Sequence, residues 1–310
     1  MAEYLITGGA GFIGSNIAEH LVRAGKSVSI FDNFSTGKRE HVIGGTELIE
    51  GDLRMLESVR RAMIDARYVL HVGAIPSVPR SVEDPVTTNQ VNVTGTLNVL
   101  VAAREAGVQR VVFSSSSSVY GDTPTLPKQE EMAPLPLSPY AVQKLIGEYY
   151  CRIFWRLYEL ETVSLRYFNV FGPRQDPESQ YAAVIPRFIM AILAGKSPVI
   201  FGDGKQTRDF SHVQNVIEAN LTACEAGKEA LGETFNIACG NRISLLDLVA
   251  TINKIAGKNI APIFQAPRPG DIRDSQADIR KAGQLFDWKP SVDFQAGIER
   301  AVEWYRGLLP

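Results

Sequence analysis

Residues 7–14 read TGGAGFIG. They follow a short apolar run, Tyr4-Leu5-Ile6, and open the stretch FIGSNIAEHLVRAG. That stretch has apolar residues at helical spacing and a glycine stop, so it reads as a strand, a turn and a helix. Gly8, Gly11 and Gly14 are spaced G-x-x-G-x-x-G. Glycine torsions make the tight turn, a bare backbone admits a pyrophosphate, and a missing Cβ lets helix pack close to strand. The helix-start N–H groups, with Phe12 and Ile13 in the first turn, then face the phosphates. A glycine turn alone is a weak signal, but here the flanking strand and helix supply the context the motif requires.

Working outward, the same alternation continues. SVSIFD, ELIEGD, YVLHVGA, VQRVVFSSSS and TVSLRYFN read as strands. SVRRAMIDA, NVTGTLNVLVAAREAG and SPYAVQKLIGEYYCRIFWRLYEL read as helices between or after them. Such alternation predicts an α/β fold with a Rossmann-type, doubly wound parallel sheet. After Asn169 the pattern loosens into VFGPRQDPESQY, a loop with two prolines. HVQNVIEANLTACEAG and ETFNIACG then read as a helix and a strand that return to the first sheet. The expected division is a nucleotide domain of residues 1–168 plus about 209–238. A smaller mixed α/β substrate domain takes about 169–208 and 239–310.

Asp32 follows the second strand, 18 residues after Gly14. A carboxylate there accepts both hydroxyls of an adenosine ribose and repels a 2'-phosphate, which favours NAD over NADP. Lys38 and Arg39 nearby count the other way, and Asp32 has a second reading as a cap for NFSTG.

Composition narrows the function classes. Over 310 residues, 45% are hydrophobic and 21% charged, ordinary for a globular protein. A net charge of -2 without a dense Lys/Arg run gives no signal for nucleic acid or a membrane surface. No apolar run approaches a membrane span, and the N-terminus lacks the basic start of a signal peptide. Cys151, Cys224 and Cys239 are scattered, as reduced thiols of a cytosolic protein would be. The four histidines do not cluster, so no metal site is expected.

SPYAVQK, residues 138–144, carries the chemistry. Tyr140 and Lys144 at i, i+4 share one helix face. A phenol ionises near pH 10; a neighbouring ammonium and a positive nicotinamide both favour phenolate. Ser116, near a strand end, can bridge a substrate oxygen and Tyr140. This is a layout for hydride transfer.

TGGAGFIG, EGDLR, HVGA, NVTGT, SSSSSVYG, SPYAVQK and RYFNVFGPRQ together resemble the extended short-chain dehydrogenase/reductase superfamily, over essentially the whole chain. Within it the sequence looks most like the UDP-hexose 4-epimerases. SVPRSVEDPVTTNQVNVTGT and LPLSPYAVQK resemble the branch acting on UDP-N-acetylglucosamine. The resemblance implies that Tyr140 is the base, that Lys144 tunes it and holds the nicotinamide ribose, and that Ser116 assists. It implies that Asn33, Ser35 and Gly37 line the adenosine ribose and that Asp52 touches the adenine. Leu53, Ala74 and Asn92 complete the cofactor set. Asn169 would hold the UDP-sugar, Arg208 and Arg268 would clamp its diphosphate, and Asp271 would reach its ribose. Ser77, Arg80 and Ser117 would line the sugar end; Arg80 has an equal reading as a helix-face ion-pair partner.

Departures from the pattern sharpen the expectation. Dehydratases and decarboxylases of this superfamily carry an added acid or base where this chain has Ser117 and Ser118, so simple hydride removal and return fits best. Ser275 stands where a tyrosine would crowd a sugar C2 substituent. A serine leaves room for an N-acetyl group and still admits a hydroxyl, since missing apolar contact discriminates by only about 1–3 kcal/mol. Asn215 replaces the usual Asp of HVQNV, and Gly73 the usual Ala of HVGA; both changes are expected to be structural. YYCRIFWRLY, residues 149–158, is expected to bury against a second subunit in a homodimer. The alternatives are a UDP-glucuronate 4-epimerase or decarboxylase, and a dinucleotide sensor without catalysis.

Overall fold

A computed structural model describes residues 2–177, 183–267 and 272–308. Six strands come from the first half: β1 (Tyr4–Thr7), β2 (Val28–Asp32), β3 (Glu47–Glu50), β4 (Tyr68–His71), β5 (Arg110–Ser116) and β6 (Glu161–Tyr167). A late strand, Thr234–Ile237, joins them in one sheet of seven. The order is Thr234–Ile237, β6, β5, β4, β1, β2, β3, and every pairing is parallel. The chain reverses its winding between β1 and β4. Such a reversal opens a crevice at the carboxyl ends of the strands, where ligands of this architecture bind.

Every residue of β1 is buried, yet its side chains alternate. Tyr4 and Ile6 enter one core with Ile17, Leu21 and Val216, while Leu5 enters the other with Val59, Val99 and Phe154. The first face is covered by α1 (Phe12–Arg23). The second is covered by α2 (Leu56–Ala62), α5 (Gly95–Glu105) and α6 (Pro139–Tyr158). Two short helices, α3 (Val78–Glu83) and α4 (Pro85–Asn89), precede α5. Ser77 and Asp84 cap their N-termini, and each has a proline in its first turn. A π-helical turn, Gln90–Thr94, joins α4 to α5.

A second core forms from α7 (Val184–Leu193), α9 (Leu245–Ala256) and α11 (Phe294–Arg306), around Ile189, Leu248, Ile252 and Ile298. Between them α8 (Val213–Cys224) returns to the first lobe and packs on α1. One boundary differs from the sequence reading. Helix α10 (Arg280–Phe286), expected in the substrate lobe, packs instead on the strand Thr234–Ile237. Phe286 meets Phe235 edge to face at 4.8 Å, and Trp288 joins the same core. The late strand offers an apolar face that would otherwise meet water, and α10 is the amphipathic element within reach. No helix among the described residues is long and apolar enough to cross a membrane.

Candidate active site

The glycine turn sits at the winding reversal. Gly8 has a φ of +68°, and a Cβ there would lie 2.7 Å from the Gly73 Cα. A Cβ on Gly14 would lie 2.2 Å from the Gly8 carbonyl. Both positions therefore exclude any side chain. Gly11 is the N-cap of α1 without a side-chain cap, and the first turn, with Phe12 and Ile13, holds no acidic residue. The donors at this helix start are left for an anion. These features fit a dinucleotide diphosphate.

Asp32 caps the next loop, one of its two expected roles, and also braces the glycine turn. Its Oδ2 accepts from the Ala10 N–H at 2.9 Å, bracing the glycine turn, and its Oδ1 accepts from the Phe34 N–H at 2.8 Å, capping the next loop. Gly37 closes on this carboxylate, since a Cβ there would sit 3.0 Å from Oδ1. The two nearby cations already have partners. Lys38 pairs with Asp176 at 3.1 Å and Arg39 with Glu50 at 2.8 Å. Asn33 donates to Asp52 at 3.0 Å and accepts from the Ser35 N–H. Arg54, which sequence reasoning missed, grips Asp52 with two N–H groups at 3.0 and 2.7 Å. That grip holds the Asp52 carboxyl down at about 2. The Leu53 carbonyl accepts from Asn98.

A buried polar chain fixes the floor beneath. The Gly73 N–H donates to Thr7 Oγ1, which lies 2.7 Å from His71 Nδ1. His71 Nε2 lies 3.0 Å from Thr96 Oγ1, which donates to the Asn92 carbonyl. One tautomer satisfies every link: Thr7 donates to Nδ1, and Nε2–H donates to Thr96. Burial pushes His71 down to about 3, so it stays neutral. Asn92 sits in the π-helical turn and clamps Ile75, next to Ala74, through both its N–H and C=O. It also donates to Gln143, which donates to Thr88. Gln143 lies between Tyr140 and Lys144 in sequence, so this chain pins the start of α6. Sequence reasoning placed Ala74 and Asn92 in the cofactor set by resemblance; the pairing of buried polar types across elements is visible only in the fold.

Ser138 caps α6 and Pro139 takes its first turn. The Tyr140 N–H donates to Ser81 of α3 at 3.0 Å, which ties Tyr140 to the helix bearing Ser77 and Arg80. Arg80 lies partly buried, with its own N–H on Ser77 Oγ. Lys144 is buried and donates to the Ser114 carbonyl at 2.7 Å. Desolvation brings it down to about 8. Burial pushes the Tyr140 phenol up to about 12, and a hydrogen bond with Ser116 is the opposing effect. The Lys144 ammonium lies 5.9 Å from the Tyr140 ring centre. Ser116 ends β5 and caps a short turn holding Ser117 and Ser118.

Behind Lys144, Glu148 and Arg166 form a fully buried two-pronged pair at 2.9 and 2.7 Å. Ser115 donates to the same carboxylate.

The second lobe brings three further candidates together. Asn169 has a φ of +32°, a strained setting of the kind found at functional sites. Its Nδ2 donates to Ser275 Oγ at 3.3 Å and to the Asp209 carbonyl at 3.2 Å. Arg208 donates to the Arg273 carbonyl at 3.0 Å. Asn169 and Arg208 line one cleft with Phe201, Gln206 and Phe210. Arg268 and Asp271 lie outside the described residues. Asp209, also missed, is wholly buried and accepts from the backbone of Cys239, Gly240 and Ala277. Burial outweighs those donors and lifts its carboxyl to about 6. Asn215 is structural, as expected: it donates to the Val292 carbonyl and accepts from the Val292 N–H, a pairing that an amide suits. A Cβ on Gly73 would be held 3.0–3.1 Å from Leu53, Gly8 and Thr7. Among the described residues no cluster of His, Cys, Asp or Glu is arranged to hold a metal, and the three cysteines are free.

A parallel-sheet dinucleotide crevice with Ser, Tyr and Lys at its mouth defines a nucleotide-dependent enzyme class. The sequence matches the NAD dependent epimerase/dehydratase family over residues 4–238, and the chain belongs to that family. It is 38% identical to the UDP-glucose 4-epimerase of Mycolicibacterium smegmatis, covering 97% of this chain and 98% of that one. Its fold is similar to the UDP-N-acetylglucosamine 4-epimerase of Methanobrevibacter ruminantium, solved with UDP-N-acetylmuramic acid. The TM-score is 0.94 at 39% identity, covering 100% of each chain. It is also similar to the UDP-glucuronic acid 4-epimerase of Bacillus cereus, solved with UDP-glucuronic acid and NAD. There the TM-score is 0.89 at 32% identity, with 99% of each chain covered. NAD is the cofactor of the family.

Proposed function

We propose that the protein is a UDP-hexose 4-epimerase that interconverts gluco and galacto configurations and accepts N-acetylated as well as plain hexoses. Two sets of groups support this reading. Ser116 ends β5 and bonds Tyr140, with Lys144 one turn on along α6, while Asn169 and Arg208 line a cleft of the second lobe and Ser275 is bonded to Asn169.

The residues divide the work as follows. Gly8, Gly11 and Gly14 with the start of α1 hold the cofactor diphosphate, while Asp32, Asn33, Ser35 and Gly37 hold its adenosine ribose. Leu53, Ala74 and Asn92 form the wall beside them, and Asp52 with Arg54 borders the adenine. Bound NAD supplies the hydride acceptor and, in the return step, the donor. Lys144 gives one of its three donors to Ser114 and keeps two for a ribose. Tyr140 takes the sugar 4-hydroxyl proton, with Ser116 bridging the two oxygens. The 4-keto sugar turns over, so that C4 would receive hydride on its other face while Tyr140 returns the proton to the C4 oxygen. The phenol starts high, so the positive charges of the nicotinamide and Lys144 must bring it down when the crevice is filled. Phe201 and Phe210 offer apolar surface to the nucleoside, and Arg208, with Arg268, offers guanidinium to its phosphates. Asp271 would take the uridine ribose; Ser77, Arg80 and Ser117 border the sugar. Ser275, small and hydrogen-bonded to Asn169, leaves room at C2.

The test is proton NMR of the purified protein with UDP-N-acetylglucosamine and no added cofactor. The galacto isomer at equilibrium is the expected product. Conversion of UDP-glucose alone would remove the role given to Ser275. Silence with both sugars after adding NAD would move the function to the uronate enzymes, a second reading that the Ser116–Ser118 run also fits.

A further inference from the structure

We propose that Asp209 is a positioning residue whose carboxylate sets the width of the sugar end of the cleft. It does so by holding the segment that carries Ser275 against the strand end at Cys239 and Gly240. The inference rests on the substrate reading above.

Asp209 follows Arg208, yet it faces the interior. Its Oδ1 accepts from the Cys239 N–H at 3.0 Å, and its Oδ2 accepts from the Gly240 and Ala277 N–H groups, each at 3.0 Å. One side chain therefore joins three parts of the chain far apart in sequence. Its own backbone extends the reach. The Asp209 carbonyl accepts from Asn169, and its N–H points to Ser275 Oγ at 3.4 Å. The segment around Ser275 has further ties on the same side. The Ser275 N–H donates to the Thr207 carbonyl at 3.1 Å, and Gln276 Nε2 donates to the Gly240 carbonyl at 2.8 Å. Asp274 accepts from Thr207 and pairs with Arg242.

The partners of the Asp209 carboxylate are N–H groups, not a cation, so its charge is spent on geometry. A charge-assisted bond to a backbone donor is about twice as strong as a neutral one. An amide in its place has a single acceptor oxygen and turns an NH2 toward donors it cannot satisfy. The segment carrying Ser275 would then move away from Asn169, while the hydride-transfer groups on the first lobe would stay in place.

The experiment uses the full chain with its NAD content measured. In Asp209→Asn, KM for UDP-N-acetylglucosamine should rise roughly 10- to 100-fold, with kcat per folded molecule within about threefold of wild type. The Kd of UDP alone, by calorimetry, should rise in parallel. A purely fold-maintaining role predicts fewer active molecules but unchanged KM and Kd, and that result overturns the proposal. If Asp209→Asn does not fold, Gln276→Ala loosens the same segment from a partly exposed side chain. It should raise KM roughly three- to tenfold, and an unchanged KM overturns the proposal equally. UDP titration reads the clamp even if neither sugar is turned over, so its failure is distinct from a failure of the substrate assignment.

Discussion

His71 and Tyr140 show burial acting on two titratable groups with opposite consequences. For His71 the neutral form is the folded form. Unfolded, the same imidazole titrates near 6.5. As pH falls below about 6.5 the unfolded chain takes up a proton that the native chain refuses, so stability falls with falling pH. The loss is about 1.4 kcal/mol per pH unit and continues down to the folded value of about 3. His212, pushed down to about 4 by burial, adds a like loss over its own window. Urea melts from pH 7 to 5 should show this slope, and His71→Asn should flatten part of it; an unaltered slope in the variant would refute the assignment. For Tyr140 the protonated form is the resting form, and catalysis must ionise or share that proton. Tyr140→Phe should lower kcat by roughly 10²- to 10⁴-fold and leave bound NAD intact by absorbance. The cap by Asp32 was legible in the sequence; its bond to Ala10 was not. Asp209 was not, because a buried carboxylate between Arg and Phe has no local signature. Its partners lie at residues 239–240 and 277, and only the fold brings them near.

Among the elements, the segment after β6 does more than connect. Pro173 accepts from Asn16 on α1. Arg174 donates to Asn16 at 3.0 Å and to Glu19 at 2.5 Å, and Asp176 reaches Lys38. The segment thus ties the second lobe to both walls of the cofactor crevice, the helix start and the ribose loop. Arg174 is mostly buried and its pairs are close, so its loss should be felt more than that of an exposed ion pair. Arg174→Met should release NAD roughly tenfold faster on gel filtration, equivalent to about 1.4 kcal/mol, with KM for the sugar little changed. Equal retention would remove the segment's role. The sequence marked GPRQ as loop-like from its proline and polar residues, which is correct locally. Its contacts with α1 are long-range and leave no periodic trace. The first six strands and the long helices were legible because their apolar spacing is strong. Helix α10 was placed with the wrong lobe because its spacing predicts a helix but not which core it covers.

At the scale of the molecule, α6 leaves one apolar side uncovered. Tyr149, Ile153 and Leu157 are 54%, 44% and 66% exposed, at helical spacing. On the other side of the same helix Cys151 and Phe154 are buried in the core. A stripe of this kind on a long helix suits the same stripe of a second copy. We propose that this stripe seats against a second copy, so that Ile153→Asp should yield a monomer by sedimentation where the unaltered protein is a dimer. A wild type that sediments as a monomer would sink this view of the face.

The late strand has a consequence for synthesis. Tyr167 ends β6, and Ile237, which completes the sheet beside it, is made roughly 70 residues later. At about 5–20 residues per second that is a delay of several seconds. A sheet assembled from β1 to β6 before then would present β6 as an unpaired edge, with the place of α8 beside α1 still empty. The nucleotide-binding half, although its strands begin first, is completed only by a piece that the genetic order delivers late.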